Sequence, residues 1–331
     1  MTSFIMIIAA TVTLLAVLWI VARVVDSWNR VRYSGSIVEL YGEKIHYRDS
    51  ADRGINAEAT PVVLIHGSTG NLWDMEYRLA PALQAKGFRT ISIDRPGIGL
   101  SSRKDSALSD PRLQAPFLDD VLDYLCVGKI VLLGYSLGNA VVMEMALNHP
   151  ERIKAAVNVA GVSHPWIGAE LMIFKIVKWP IIGFIWTQII VPIIGPIILG
   201  MVLKKLSAME YLPKGFIEKT GLKHILKPQC FKAHSEDLKA TQTAIIEMYG
   251  SYRDITVPFL MAWGEREYFA GAEKEQPGVV VPWWSQGALL KKTLSDCEVV
   301  VAPRVGHWVH HFGSKVIADA LRAFLTKRGL Q

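Results

Sequence analysis

Ser136 stands in the setting that most plainly asks for chemistry. It lies in Gly134-Tyr135-Ser136-Leu137-Gly138, after the apolar run Val131-Leu132-Leu133 and ahead of Asn139-Ala140. The pattern predicts a buried strand turning sharply into a helix through G-x-S-x-G, a turn that lifts a serine hydroxyl above the sheet edge, within reach of a base. Glycines at 134 and 138 keep side chains out of that turn, so strained backbone there meets no Cβ. The pentapeptide alone would also describe an ordinary turn serine. Order along the chain sets it apart: His66-Gly67 upstream, then Ser136, then a carboxylate after a later strand, then His307. A serine hydroxyl is a poor nucleophile at neutral pH and needs an adjacent base. Of nine histidines, His307 follows the strand from Glu298 to Ala302 after a short loop ending in Gly306, which brings it out at the same sheet edge as Ser136. His310 and His311 read as surface or cap-facing groups. The N–H of Leu137, at a helix N-terminus, is aimed to hold a developing oxyanion.

The elements that must position these groups alternate between strand and helix. Ser36 to Leu40 and Lys44 to Tyr47, around Tyr41-Gly42-Glu43, predict a hairpin. Strands follow at 61–65, 90–94, 129–133, 155–160, 259–263 and 299–302. Helices are predicted at about 72–85, 116–125, 139–147 and 315–327. The strands carry little polar alternation. They are therefore buried on both faces, in a mostly parallel sheet covered by helices on both sides.

HGSTG (66–70), DRPGIGLSS (94–102), GYSLG (134–138) and GH (306–307), in this order, resemble the motifs of an α/β-hydrolase. The likeness covers Ser36 to Leu330 apart from a cap insertion, and implies an α/β-hydrolase fold of the serine esterase–lipase kind. It also implies roles for particular residues. The D-x-P-G-x-G-x-S loop is matched by Asp94, Pro96, Gly97, Gly99 and Ser101, which makes Asp94 a structural, turn-capping carboxylate. The family's G-x-x-D after the seventh strand is here Gly264-Glu265-Arg266-Glu267, which puts Glu267 in the acid position. Glutamate can orient an imidazole as aspartate does. Glu265 is the neighbouring rival, while Asp254 and Asp296 precede strands and fall at the opposite sheet edge. The strand ending at Ala160-Gly161 is followed by Val162-Ser163-His164, with no carboxylate. By the same resemblance Ser68 supplies the second oxyanion N–H, and His66 braces its loop.

At 331 residues, 51% of them hydrophobic and 20% charged, the chain can bury a large core. Cys126, Cys230 and Cys297 lie far apart without C-x-x-C spacing and read as structural thiols of a reducing compartment. No phosphate-cradling or Rossmann glycine pattern is present, and no metal or organic cofactor is implied. From Phe4 to Ile20 every residue is apolar or threonine, and Arg23 is the first charged side chain. With the residues to Val25 this approaches the ~20 residues that cross a bilayer as a helix. A secretory signal fits less well, because no basic n-region precedes it and no clean cleavage site follows. Arg23, Arg30 and Arg32 on the C-terminal flank orient the following domain toward the cytoplasm. The expected organisation is a membrane anchor at 1–25, a first part of the hydrolase core at 26–162, an apolar helical cap at 163–254 and the rest of the core at 255–331.

Within the cap, Trp179 to Leu203 is 25 residues without a charge, carrying Pro180, Pro192, Pro196, Gly183, Gly195 and Gly200. A second spanning helix, interfacial or pocket-closing helices, and a plain cap core all fit. Repeated prolines and glycines argue for broken helices of the second kind. Eight lysines against three glutamates between Pro165 and Lys227 make this region the most basic of a chain of net charge +6. That suits an anionic lipid surface. Nucleic acid is not expected, because no stacking aromatics interleave with the lysines. A further insertion, Phe269 to Trp284, offers Pro282-Trp283-Trp284 to the pocket mouth or to the anchor.

Together these readings predict a membrane-anchored serine hydrolase of a lipophilic small-molecule ester, with Ser136, His307 and Glu267 catalytic and Ser68 and Leu137 forming the oxyanion hole. Membrane lipid is its expected partner. Acyltransfer, amide cleavage and C–C hydrolysis use the same triad and stay open. So does a non-catalytic lipid-binding or scaffold protein. Acyl length, head group and oligomeric state are not encoded in these motifs.

Overall fold

The apolar strand runs pair as their composition requires. The computed structural model describes residues 2–28, 34–166, 172–206, 212–266 and 286–330. Within these, eight strands form one sheet: β1 (Ser36–Leu40), β2 (Glu43–Asp49), β3 (Pro61–Ile65), β4 (Arg89–Ile93), β5 (Ile130–Tyr135), β6 (Ile153–Val159), β7 (Phe259–Gly264) and β8 (Cys297–Ala302). The order is β1-β2-β4-β3-β5-β6-β7-β8. The β1–β2 and β2–β4 pairings are antiparallel and the rest parallel. Every residue of β3, β5 and β7 is buried, as expected of strands covered on both faces. Helix α3 (Pro111–Tyr124) packs with α4 (Asn139–Asn148), and α2 (Leu72–Gln84) packs with the C-terminal helix Ser314–Arg328.

Register brings the chemistry to one edge. Ile65 of β3 is opposite Gly134 of β5, so the loop after β3 leaves the sheet beside the serine turn. Gly264 of β7 is opposite Ala302 of β8, so the loops after those strands leave side by side at the same edge. Ligands of open parallel sheets bind outside these carboxyl ends.

Two predicted helices differ from the structure. Helix α3 begins at Pro111 rather than near Pro116. Asp110 caps it by accepting from the Arg112 N–H, and Pro111 occupies the first turn, where its missing N–H costs nothing. In the cap, residues 180–206 form one continuous helix, where proline-broken pieces were expected. Pro180 sits at its start, and a π-helical turn at Trp186–Ile190 precedes Pro192. Pro192 has no N–H for the carbonyl of Gln188, four residues back. Arg23 donates Nη2 to that oxygen at 3.0 Å. This helix roofs the catalytic edge, and the long helix Pro228–Met248 returns across the same edge.

Helix α1 (Thr2–Trp28) packs against the roof helix, burying Ala22 and leaving most of its apolar side chains exposed. Phe4–Val25 and Pro180–Met201 are both long and apolar enough to cross a membrane. The three cysteines are free, with Cys230 buried and Cys126 exposed. The Phe269 to Trp284 insertion and Glu267 lie outside the described residues.

Candidate active site

At the end of β5 the backbone passes from extended at Tyr135 into the left-handed region at Ser136, φ 49°, and then directly into the turn that opens α4. A non-glycine residue rarely adopts that conformation, which costs of order 1–3 kcal/mol and persists only where the surroundings enforce it. The enforcement is visible at Gly138: a Cβ there would lie 2.5 Å from the His66 carbonyl oxygen and 2.6 Å from that of Ile65. At Gly134 a Cβ would lie 2.7 Å from Asn139 Cα. The Val162 N–H donates to the Ser136 carbonyl at 3.1 Å, and Asn139 Nδ2 donates to the Val162 carbonyl at 2.8 Å. The turn is thus clamped between β3, α4 and the loop after β6.

His307 Nε2 lies 3.2 Å from Ser136 Oγ. That is within reach of a base and its nucleophile. Arg266 N–H donates to the Val305 carbonyl at 3.1 Å, tying the loop after β7 to the loop that carries His307. Glu265 accepts from the Arg304 N–H at 2.6 Å and is therefore committed to that loop.

Asp94 is fully buried. It accepts from His46 Nδ1 at 2.7 Å, the Leu72 N–H at 2.7 Å and the Leu100 N–H at 3.0 Å. Burial alone would raise its carboxyl pKa; the bond from His46 leads the effects that hold it below the ordinary range. Its role is to join β2, α2 and the loop after β4. His66 donates from Nδ1 to the Gly67 carbonyl at 2.7 Å and accepts at Nε2 from the Arg95 N–H at 3.0 Å. These bonds fix one neutral tautomer, and burial followed by the Arg95 charge lowers its pKa to about 4. His66 thus braces the Ser68 loop.

His310 and His311 are not the surface or cap-facing groups expected. Both are 1% exposed, and they donate from Nε2 to the two oxygens of buried Asp74 at 3.2 and 2.8 Å. Burial raises the Asp74 carboxyl, but the two imidazoles more than reverse this and keep it ionised. His310 stays neutral, lowered to about 4 chiefly by burial. Its ring lies 3.7 Å from that of Tyr135, centroid to centroid, directly beneath the serine turn. The ligand atoms of this trio lie within 4.8 Å of one another, close enough to hold a metal ion. Each Nε2 already has its carboxylate acceptor, while both Nδ1 atoms are buried without a hydrogen-bond partner among the described residues.

Above the serine is a cavity of about 420 Å³. Ser68, Thr69, Ser136, Leu137 and His307 form its floor, and Trp166, Phe174, Trp186, Ile190, Ile198, Leu199 and Leu238 are among its walls. Among the described residues no lysine, arginine, aspartate or glutamate lines it. His234, which no local sequence signal marks, also faces it. Its Nδ1 lies 3.4 Å from Ser68 Oγ, and burial keeps it neutral, with a pKa of about 4. His234 is carried by the Pro228–Met248 helix, which is fastened to the Asp94 loop through Asp237. Arg95 donates to Asp237 at 2.7 Å, and Arg103 contacts its other oxygen and the Ala233 carbonyl.

The family model described as alpha/beta hydrolase fold matches residues 60–180. A 2-hydroxy-6-oxononadienedioate/2-hydroxy-6-oxononatrienedioate hydrolase of Burkholderia vietnamiensis is 36% identical over 122 residues, 36% of this chain but only 40% of that protein. The enzyme of the same name from Paraburkholderia phymatum is 25% identical over 272 residues, 80% of this chain and 85% of that one. Among solved structures, a bromoperoxidase from Bacillus anthracis superposes with TM-score 0.66 at 20% identity. It covers 88% of this chain and 100% of its own.

Proposed function

We propose that this chain, which belongs to the α/β-hydrolase fold superfamily, is a serine hydrolase that cleaves a lipophilic carboxylic ester at the membrane. The observation that carries the reading is the Ser136–His307 pair at 3.2 Å on the floor of an apolar cavity with no formal charge among its described lining residues. In this mechanism His307 takes the Ser136 proton as Oγ attacks the ester carbonyl. The N–H groups of Leu137 and Ser68 hold the oxyanion, a contribution of about 3 to 4 kcal/mol per donor. His307 then protonates the leaving alcohol, and later activates the water that hydrolyses the acyl-enzyme. Glu267 is the proposed partner that orients the imidazole. The apolar helix α1 is the proposed anchor, with the catalytic domain on the cytoplasmic side.

C–C hydrolysis is the second reading, and the relatives' names favour it. The substrate they name is a hydroxy-oxo-dienedioate, with no ester bond to cleave, so water must break a carbon–carbon bond. Such a substrate carries two carboxylates, and among the described residues this cavity offers them no lysine or arginine. Neutral lipophilic esters suit it better.

A fluorophosphonate probe on detergent-solubilised chain, with the adduct located by peptide mass spectrometry, tests the nucleophile. The expected adduct is on Ser136 and is lost in Ser136→Ala. A panel of p-nitrophenyl esters beside a 2-hydroxy-6-oxo-dienoate then separates the two bonds. Turnover of the dienoate alone would replace the ester reading. No adduct and no turnover on folded protein would leave a lipid-binding scaffold.

A further inference from the structure

The roof helix, 180–206, presents different surfaces on opposite sides. Inward, Trp186, Ile190, Ile198 and Leu199 wall the cavity over Ser136. Toward its C-terminal end, Leu199 and Leu203 pack with Phe216, Leu222 and Trp308. Outward, Ile181, Ile182, Phe184, Ile197 and Met201 are 50–76% exposed. Ile194 belongs to both surfaces: it lines the cavity and is 43% exposed.

An exposed apolar face of this extent marks an interaction surface. Its neighbour identifies the occupant. Helix α1 lies against the roof helix and is held there by Arg23 on the Gln188 carbonyl, to which Pro192 has no N–H to offer. Along its own length α1 exposes Phe4, Ile7, Leu14, Trp19 and Ile20. Its apolar stretch, Phe4–Val25, is long enough to cross the hydrocarbon. A helix docked on such a segment shares its solvent.

We propose that the outer face of the roof helix is seated in the lipid leaflet beside α1, and that the ester enters the cavity from the bilayer, past Ile194. This rests on the serine-hydrolase reading and names its substrate class as a membrane-resident lipid ester. The helix lies in the leaflet instead of crossing it. Its middle walls the cavity and its end is packed on the core, so it follows the protein surface along its length. The sequence places Lys175 and Lys178 before the helix and Lys204 and Lys205 in its last turn, charges that suit anionic head groups.

The test uses the full chain in phosphatidylcholine–phosphatidylglycerol vesicles, with two substrates and the double variant Ile181→Asp/Ile197→Asp. Neither side chain lines the cavity. Hydrolysis of water-soluble p-nitrophenyl acetate is expected to stay within twofold of the native chain. Hydrolysis of a long-chain ester carried in the vesicles is expected to fall at least tenfold. Equal rates on the vesicle ester would overturn the proposal, and so would an equal loss on both substrates. A second measurement keeps seating separate from catalysis. Ile197→Cys, in a chain with its native cysteines changed to alanine, carries an environment-sensitive dye, and lipids with spin-labelled tails are added. Quenching supports seating even if neither ester is cleaved, a result that would count against the hydrolase reading alone. A dye left unquenched, whether shielded by a second copy of the chain or exposed to water, overturns the seating.

Discussion

Ser136 holds its hydroxyl up by a backbone conformation that suits glycine, not serine, and the two demands can be separated by substitution. Ser136→Ala removes the nucleophile but keeps a Cβ at φ 49°. Turnover should fall by about 10⁴- to 10⁶-fold with stability little changed. Ser136→Gly should be equally inactive yet about 1 kcal/mol more stable than the alanine variant, because the strain outweighs glycine's added chain entropy. Chemical denaturation of the two variants checks this, and equal midpoints would mean that the turn is not strained. A second test lies beneath the turn. Asp74→Asn leaves one acceptor oxygen for two imidazole donors and turns an amide N–H₂ toward the other. Loss of about 2–3 kcal/mol is expected, read from the denaturation midpoint. Ser136, His307, Asp94 and His66 could be read from the chain because each sits at a fixed offset from a strand end. His234, Asp74, His310 and His311 could not. Their partners lie 166, 236 and 237 residues away, and only the folded packing brings them together.

At the scale of elements, the sheet was legible because burial on both faces leaves uninterrupted apolar strands, and β3, β5 and β7 are buried throughout. The roof helix was misread for a physical reason. Proline costs a helix one hydrogen bond and a clash, but a π turn can relieve the clash and a distant donor can take up the freed carbonyl. That donor, Arg23, belongs to another element 165 residues away. The cap's other support is polar and buried. Asp237 is fully buried between Arg95 and Arg103, and through them the Pro228–Met248 helix is pinned to the loop after β4. Asp237→Ala leaves Arg95 in the interior without a carboxylate and Arg103 with Glu236 alone, a loss of about 3–5 kcal/mol. Arg95→Met/Asp237→Ala should recover part of it, because the unmatched buried charge is removed. If the double variant is as unstable as the sum of the single ones, measured by denaturant, the two groups do not act as a pair.

The whole molecule combines an apolar periphery with a core that keeps several imidazoles neutral. The sequence made α1 and the apolar cap conspicuous, since runs this long without charge are rare in a folded core. It did not reveal that the two are docked together, because that depends on the partner of a single backbone carbonyl. The buried histidines govern how the molecule meets acid. Burial lowers His66, His164, His234 and His310 each to about 4, against an ordinary value near 6.5. The unfolded chain takes up these protons as pH falls below about 6.5, while the folded chain refuses them until about pH 4. Their contribution to stability is therefore complete above about pH 6.5 and is lost between there and pH 4, at up to about 1.4 kcal/mol per pH unit for each group. Asp74 and Asp94, held below their ordinary range, add a further loss only at lower pH. Thermal unfolding of the detergent-solubilised chain should show Tm constant from pH 8 to 7 and falling steeply from pH 6.5 to 4.5, with several protons bound on unfolding near pH 5. A Tm that holds level down to pH 5 would mean that the folded protein accepts these protons, and that its interior is wetter around the site than the packing of His66, His234 and His310 implies.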